Sequence, residues 1–207
     1  MTGRERVLNT LAFRGSDRIP LDIWVLPAAR LAHGKAFEEL QARYADRLDI
    51  TSFVGPFDHG FTPEYYQVGT YTDPWGSRWT NIQAGVVGEV KHPVFADYEA
   101  MKGYTPPTEQ FLREWERNKP ALTGQIAAAR KTGKFLIGGW VSVFERFQFL
   151  RGTENLYCDI ALEEPEMFAM MDMVMEFLRV YVDAWLAMDV DAVPFGDDWG
   201  TQRSLLI

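Results

Sequence analysis

Apolar positions follow two different periods along this chain, and the alternation between them sets out its elements. Val7, Leu8, Leu11 and Ala12 share one helical face, after Thr2 and Glu5 at the spacing of a capping box and before Gly15. Residues 19–25 then form a short apolar run with Pro20 near its start, where a strand tolerates proline. A short helix is expected over 37–44 and a second strand over 49–54. Residues 71–94 are β-branched and aromatic, interrupted by Gly76, Gly85 and Gly88, and read as hairpins. Helical spacing returns over 109–131 through Phe111, Trp115, Leu122 and Ile126, with Pro120 expected to kink or divide that helix. A third strand is expected over 135–140. A long helix follows, starting among Glu163, Glu164, Pro165 and Glu166 and running to about Met188, and a fourth strand spans 192–196.

Strands separated by helical segments imply a parallel sheet with right-handed crossovers. The expectation is an α/β fold: a partial TIM (β/α)8 barrel of about four parallel strands with helices and an inserted β-hairpin region, forming a single domain over residues 1–207. At 207 residues the chain is short of the roughly 250 that a whole barrel takes. A net charge of −8 disfavours nucleic acid, whose phosphates need a basic face. No run approaches the ~20 apolar residues of a membrane span. The first residues lack the apolar core of a leader, so a cytoplasmic protein is expected. A single cysteine, Cys158, excludes an intrachain disulfide framework and reads as a small buried hydrophobe.

In parallel α/β folds the strand-to-helix loops meet at the C-terminal ends of the strands, where active sites gather. That rule selects Arg30 beyond the first strand, Asp58 and His59 after the second, Trp140 and Glu145 after the third, and Asp197, Asp198 and Trp199 after the fourth. Asp197 and Asp198 are adjacent carboxylates whose repulsion would suit acid–base work or a cation. The alternative is that one caps the next helix and the other is solvated. Glu145 is either a desolvated acid among phenylalanines or, the preferred reading, an exposed residue paired with Arg146 or Arg151. Trp140 follows two glycines and either floors a pocket or packs in the core. His33, His59 and His92 are scattered without zinc-site spacing, so no metal ligand is assigned in this chain.

Four stretches taken together resemble the uroporphyrinogen-decarboxylase superfamily, in particular its branch related to corrinoid-dependent methyltransferases. They are Arg4-Glu5-Arg6-Val7-Leu8 through Arg18-Ile19-Pro20-Leu21-Asp22; Asp73-Pro74-Trp75-Gly76-Ser77-Arg78-Trp79; Phe144-Glu145 with Leu150-Arg151-Gly152-Thr153-Glu154-Asn155 and Asp159; and Gly196-Asp197-Asp198-Trp199-Gly200-Thr201-Gln202. The resemblance covers nearly the whole chain in the family's order and implies the N-terminal part of a family barrel.

The resemblance implies one of two chemistries. Tetrapyrrole decarboxylases of porphyrin biosynthesis use an arginine-rich first loop, an aspartate and a tyrosine. Here the loop is Trp24-Val25-Leu26-Pro27-Ala28-Ala29-Arg30, with one arginine at most, and residues 136–152 hold no tyrosine. A substrate with many carboxylates wants several convergent arginines. The methyltransferases instead use zinc held by a His-x-Cys pair and a later cysteine, in a part of the barrel beyond these residues. The expected function is therefore a methyltransferase-type member demethylating a small compound with a corrinoid protein. The alternatives are a uroporphyrinogen decarboxylase and an inactive half-barrel. No cofactor is expected within this chain, zinc and a corrinoid partner belonging to a full-length relative. The expected partners are a small-molecule substrate, a corrinoid protein and, through open strand edges, a second copy of the chain.

Overall fold

The computed structural model describes residues 1–58 and 63–206. Among these residues the elements run α1 (Gly3–Leu11), α2 (Pro27–Tyr44), β1 (Ile50–Phe53), β2 (Gly69–Thr72), β3 (Arg78–Asn81), β4 (Glu89–His92), α3 (Thr108–Arg130), β5 (Phe135–Gly138), α4 (Phe144–Arg151), α5 (Thr153–Leu162) and α6 (Pro165–Leu186). The chain is thus mixed α/β, with a parallel pair and an antiparallel meander.

β1 and β5 pair in parallel, Ile50 opposite Phe135 and Phe53 opposite Gly138. Phe135, Leu136 and Gly138 are buried, as expected for a strand covered on both faces. Of the four expected parallel strands, these two form a ladder. The segment 192–196 lies beside β5 through single parallel bridges, Ile137 to Ala192 and Val141 to Phe195. Its backbone bonds include Gly138 N–H to the Ala192 carbonyl at 3.0 Å and Gly196 N–H to the Val141 carbonyl at 2.9 Å. The expected first strand over 19–25 does not form. It runs without regular secondary structure, tied to the start of β1 by Asp49 N–H donating to the Leu21 carbonyl at 2.8 Å. Ile19 and Trp24 stay largely exposed, so little apolar burial drives that segment into the sheet.

α1 opens with the expected capping box: the Thr2 hydroxyl accepts from Glu5 N–H at 3.1 Å while the Glu5 carboxylate accepts from Thr2 N–H at 2.8 Å. Its expected apolar face is mostly uncovered. Val7 is buried, but Leu8 and Leu11 are exposed, and Arg6 is buried instead. The helix at Pro27 starts ten residues earlier than the spacing suggested and bends at Gly34, whose φ of 45° is left-handed. α3 continues through Pro120 rather than dividing there. Asn118 and Thr123 side chains donate to the Glu114 and Lys119 carbonyls at 2.7 and 2.8 Å and supplement the backbone bonds of that stretch. The glycine-broken stretch over 71–94 is a three-stranded meander, β2–β3–β4, as its composition indicates.

The core lies between the parallel pair and helices α3 and α6. α3 contributes Phe111, Trp115, Leu122 and Ile126, and α6 contributes Met167, Met170, Val174, Phe177, Leu178, Tyr181 and Trp185. Trp115 and Trp185 meet edge to face at 5.0 Å. Such burial stabilises by about 2 kcal/mol per large side chain. The glycines of β5 make it possible. A Cβ at Gly138 would sit 2.2 Å from the Trp185 ring, and one at Gly139 would sit 2.3 Å from the Tyr181 oxygen. No helix among the described residues is long and apolar enough to cross a membrane.

Candidate functional site

At the C-terminal ends of β1 and β5 a pocket opens, lined by Phe57 and Asp58 after β1, Trp75, Trp140 and Ser142 after β5, Arg146 and Phe149 of α4, and Phe177, Leu178 and Tyr181 of α6. Its cavity proper is small, about 40 Å3, and the rest of the depression is open to solvent. The position is the one the strand-end rule selects.

Asp58 forms the floor. Its Oδ2 accepts from Gly55 N–H at 2.6 Å, and its Oδ1 accepts a short hydrogen bond from the Tyr181 hydroxyl. The Tyr181 oxygen in turn accepts from Trp140 N–H at 3.0 Å. The carboxyl is fully buried and no ion pair reaches it among the described residues. Burial pushes its pKa from 3.8 up to about 7, against the opposing pull of the Tyr181 and Gly55 hydrogen bonds. Burial, and then the Asp58 charge, raises the Tyr181 phenol well above its usual range. Phe57, just before Asp58, has a φ of 73°. A left-handed non-glycine backbone costs on the order of 1 kcal/mol and recurs where a functional side chain must be aimed.

Arg146 forms one wall. Its guanidinium lies 5.4 Å from the Trp75 ring centroid and 5.6 Å from that of Phe149. Its nearest counter-charge is Asp73, at 3.7 Å. Asp73 itself is committed to the meander, accepting from Trp75 N–H, Ser77 N–H and the Trp79 indole.

The carboxylates near the rim have separate roles. Asp197 accepts from Val143 N–H and Glu145 N–H, both at 2.9 Å. It therefore caps α4 across space, where capping of the following helix was expected; the free N–H groups at the start of α4 lie opposite the end of the 192–196 segment. Asp198 is exposed. Glu145 is half-buried rather than exposed, and the arginines expected to pair with it are engaged elsewhere, Arg146 with Asp73 and Arg151 with Asp159 at 2.6 Å. Burial raises its carboxyl, and the nearby Asp198 and Asp197 charges add to the rise.

Trp140 is half exposed and borders the pocket, its indole donating to Ser142 at 3.0 Å. It leans on Gly196, where a Cβ would meet the ring at 2.3 Å. Trp199 stacks on Phe144 at 4.4 Å and does not line the pocket. Arg30 is exposed on α2, beside Phe37 and Gln41, and is not among the pocket residues. His59 lies outside the described residues. Cys158 is exposed, not buried, because α5 turns that face to solvent while Leu156 and Asp159 point inward.

Of the residues selected from sequence, Asp58 and Trp140 therefore meet in one pocket, while Glu145 and Asp197 do not line it. Tyr181 and Arg146 complete it and were missed. Tyr181 sits among apolar residues of α6 and reads as core, although a buried tyrosine requires a hydrogen-bond partner. Arg146 read only as a counter-ion for Glu145. Compared with known proteins, the chain matches no family model, no curated protein and no solved structure.

Proposed function

We propose that the chain is a methyltransferase-type member of the uroporphyrinogen-decarboxylase superfamily, which binds a small methylated compound and works with a corrinoid protein as methyl acceptor. The observation that carries the reading is a strand-end pocket floored by an acid that holds its proton near neutrality and walled by a single arginine. Removing a methyl group from a heteroatom leaves an electron pair on that atom. Asp58 supplies the proton: its O–H bond breaks as the heteroatom–H bond forms, and Tyr181 O–H and Gly55 N–H stabilise the resulting carboxylate. The order of the neighbouring segments, 19–25, β1, β5 and 192–196, also agrees with a barrel wall, and the meander with the inserted hairpins. No group of three or more His, Cys, Asp or Glu able to hold a metal occurs among the described residues, so zinc does not fit them and no step is assigned to it.

A second reading, tetrapyrrole decarboxylation, is favoured by the Asp58–Tyr181 pair, since the family resemblance implies an aspartate and a tyrosine for that activity. A single lining arginine disfavours a substrate with many carboxylates. The test is methyl transfer from a panel of small methylated compounds to a corrinoid protein, run beside carbon dioxide release from a porphyrinogen. Asp58→Asn is expected to slow methyl transfer roughly 100-fold. Unchanged transfer in that variant, or carbon dioxide release by the parent protein, would overturn the reading.

A further inference from the structure

Arg146 has five N–H donors on a side chain that is only 19 % exposed. Its nitrogens keep some contact with solvent, so water can satisfy them in the free protein. No hydrogen bond to this guanidinium exists among the described residues, and Asp73, at 3.7 Å, is an ion pair beyond hydrogen-bonding reach. Asp73 cannot turn to it without giving up its bonds to Trp75, Ser77 and Trp79. Asp73 holds the head from one side, and the rings of Trp75 and Phe149 fix its plane. A guanidinium so held, bordering a pocket and paired with Asp73 only at ion-pair distance, has the fork geometry that matches a carboxylate.

We propose that Arg146 is the anion-recognition residue of the pocket and that the ligand is a small, flat monocarboxylate. Its carboxylate is gripped by Arg146, and its body lies among Phe57, Trp75, Trp140 and Phe177. The inference deepens the methyl-transfer reading, on which it rests for the word substrate, by naming the end of the molecule held away from Asp58. The flat shape follows from the aromatic lining, and the single charge from the single arginine.

The test compares benzoate with isosteric benzamide by tryptophan fluorescence and by the Arg146 Nε NMR resonance. Benzoate is expected to bind roughly tenfold more tightly, the worth of a charge-assisted contact, and to shift that resonance. Arg146→Gln is expected to abolish the preference while benzamide binding remains. Should that variant not fold, Arg146→Lys, which keeps the charge and loses the fork, is expected to reduce the preference severalfold. Equal binding of the two probes, or an unmoved Arg146 resonance at saturation, overturns the proposal. Asp58→Asn separates the two ideas, because it is expected to retain the benzoate preference. Absence of methyl transfer with the preference intact overturns the function alone, and transfer without the preference overturns the anion site alone.

Discussion

The two ends of the parallel segments treat the same side chain in opposite ways. At the starting ends, Asp49 is buried and Asp191 half-buried, and both are clamped by arginines. Asp49 accepts from Arg6 at 2.5 Å, Arg18 at 2.6 Å and Leu21 N–H at 2.8 Å. Asp191 accepts from Arg130 at 2.7 Å, Arg4 at 2.8 Å and Leu136 N–H at 2.9 Å. Burial alone would raise both carboxyls, but these bonds and charges outweigh it and hold them below the ordinary 3.8. At the finishing ends, Asp58 is also buried but has only neutral donors, and burial wins, lifting it to about 7. Asp58 is also the deepest of the three, so burial and the lack of a cation act on it together. Arginines hold the carboxyls of the starting end down, and their absence at the deeper Asp58 leaves burial unopposed by any cation.

The contrast is broken most severely by pH. Asp58 has a folded-state pKa above its unfolded value, so its stabilising contribution is complete below about pH 4 and is lost as pH rises to about 7. The parent protein is expected to lose stability relative to Asp58→Asn across that window, approaching about 4 kcal/mol. Urea unfolding of both proteins at intervals of pH measures it, and parallel curves would rule out a raised Asp58. Asp49 and Asp191 have the opposite sign: their contribution is present above the ordinary 3.8 and is lost as pH falls below it.

Removing a charge at the starting end is expected to cost less. Asp49→Asn removes the buried one of Arg6's two counter-charges, Asp17 remaining, and also releases Arg18, and is expected to destabilise by about 2 kcal/mol at neutral pH. A midpoint in urea unchanged from the parent would show that the clamp is not what holds that edge. The smallest effect concerns Asp197. Its role as a cap predicts that Asp197→Ala costs about 1 kcal/mol and loosens the first turn of α4, seen as faster amide exchange at Val143 and Glu145. Unchanged exchange at those two amides would remove the capping role.

Much of the fold was legible in the sequence because its causes are local. The capping box at Thr2, the acidic proline-led start of α6 and the glycine-broken meander each depend on residues close together in the chain. The first strand failed for a non-local reason. An apolar run over 19–25 is strand-like in isolation, but a strand needs a neighbour's ladder and a covering layer, and among the described residues this segment has one backbone-to-backbone bond and exposed Ile19 and Trp24. The site was legible as a place, since strand ends can be read from periodicity, and Asp58 and Trp140 were found that way. Its chemistry was not, because Asp58 meets Tyr181 across 123 positions of sequence.

What the sequence by itself determined is most of the helices, the strands β1 and β5, and the glycine-broken meander, but not the fate of residues 19–25 or the start of α2. Those elements follow from periodicity, caps and glycine placement. Only the tertiary structure decided which carboxyl side chains carry charge. A carboxyl's pKa depends on what stands within a few ångströms of it, and in this chain those neighbours come from distant segments: Arg6 and Arg18 for Asp49, Tyr181 for Asp58, and the α4 amides for Asp197.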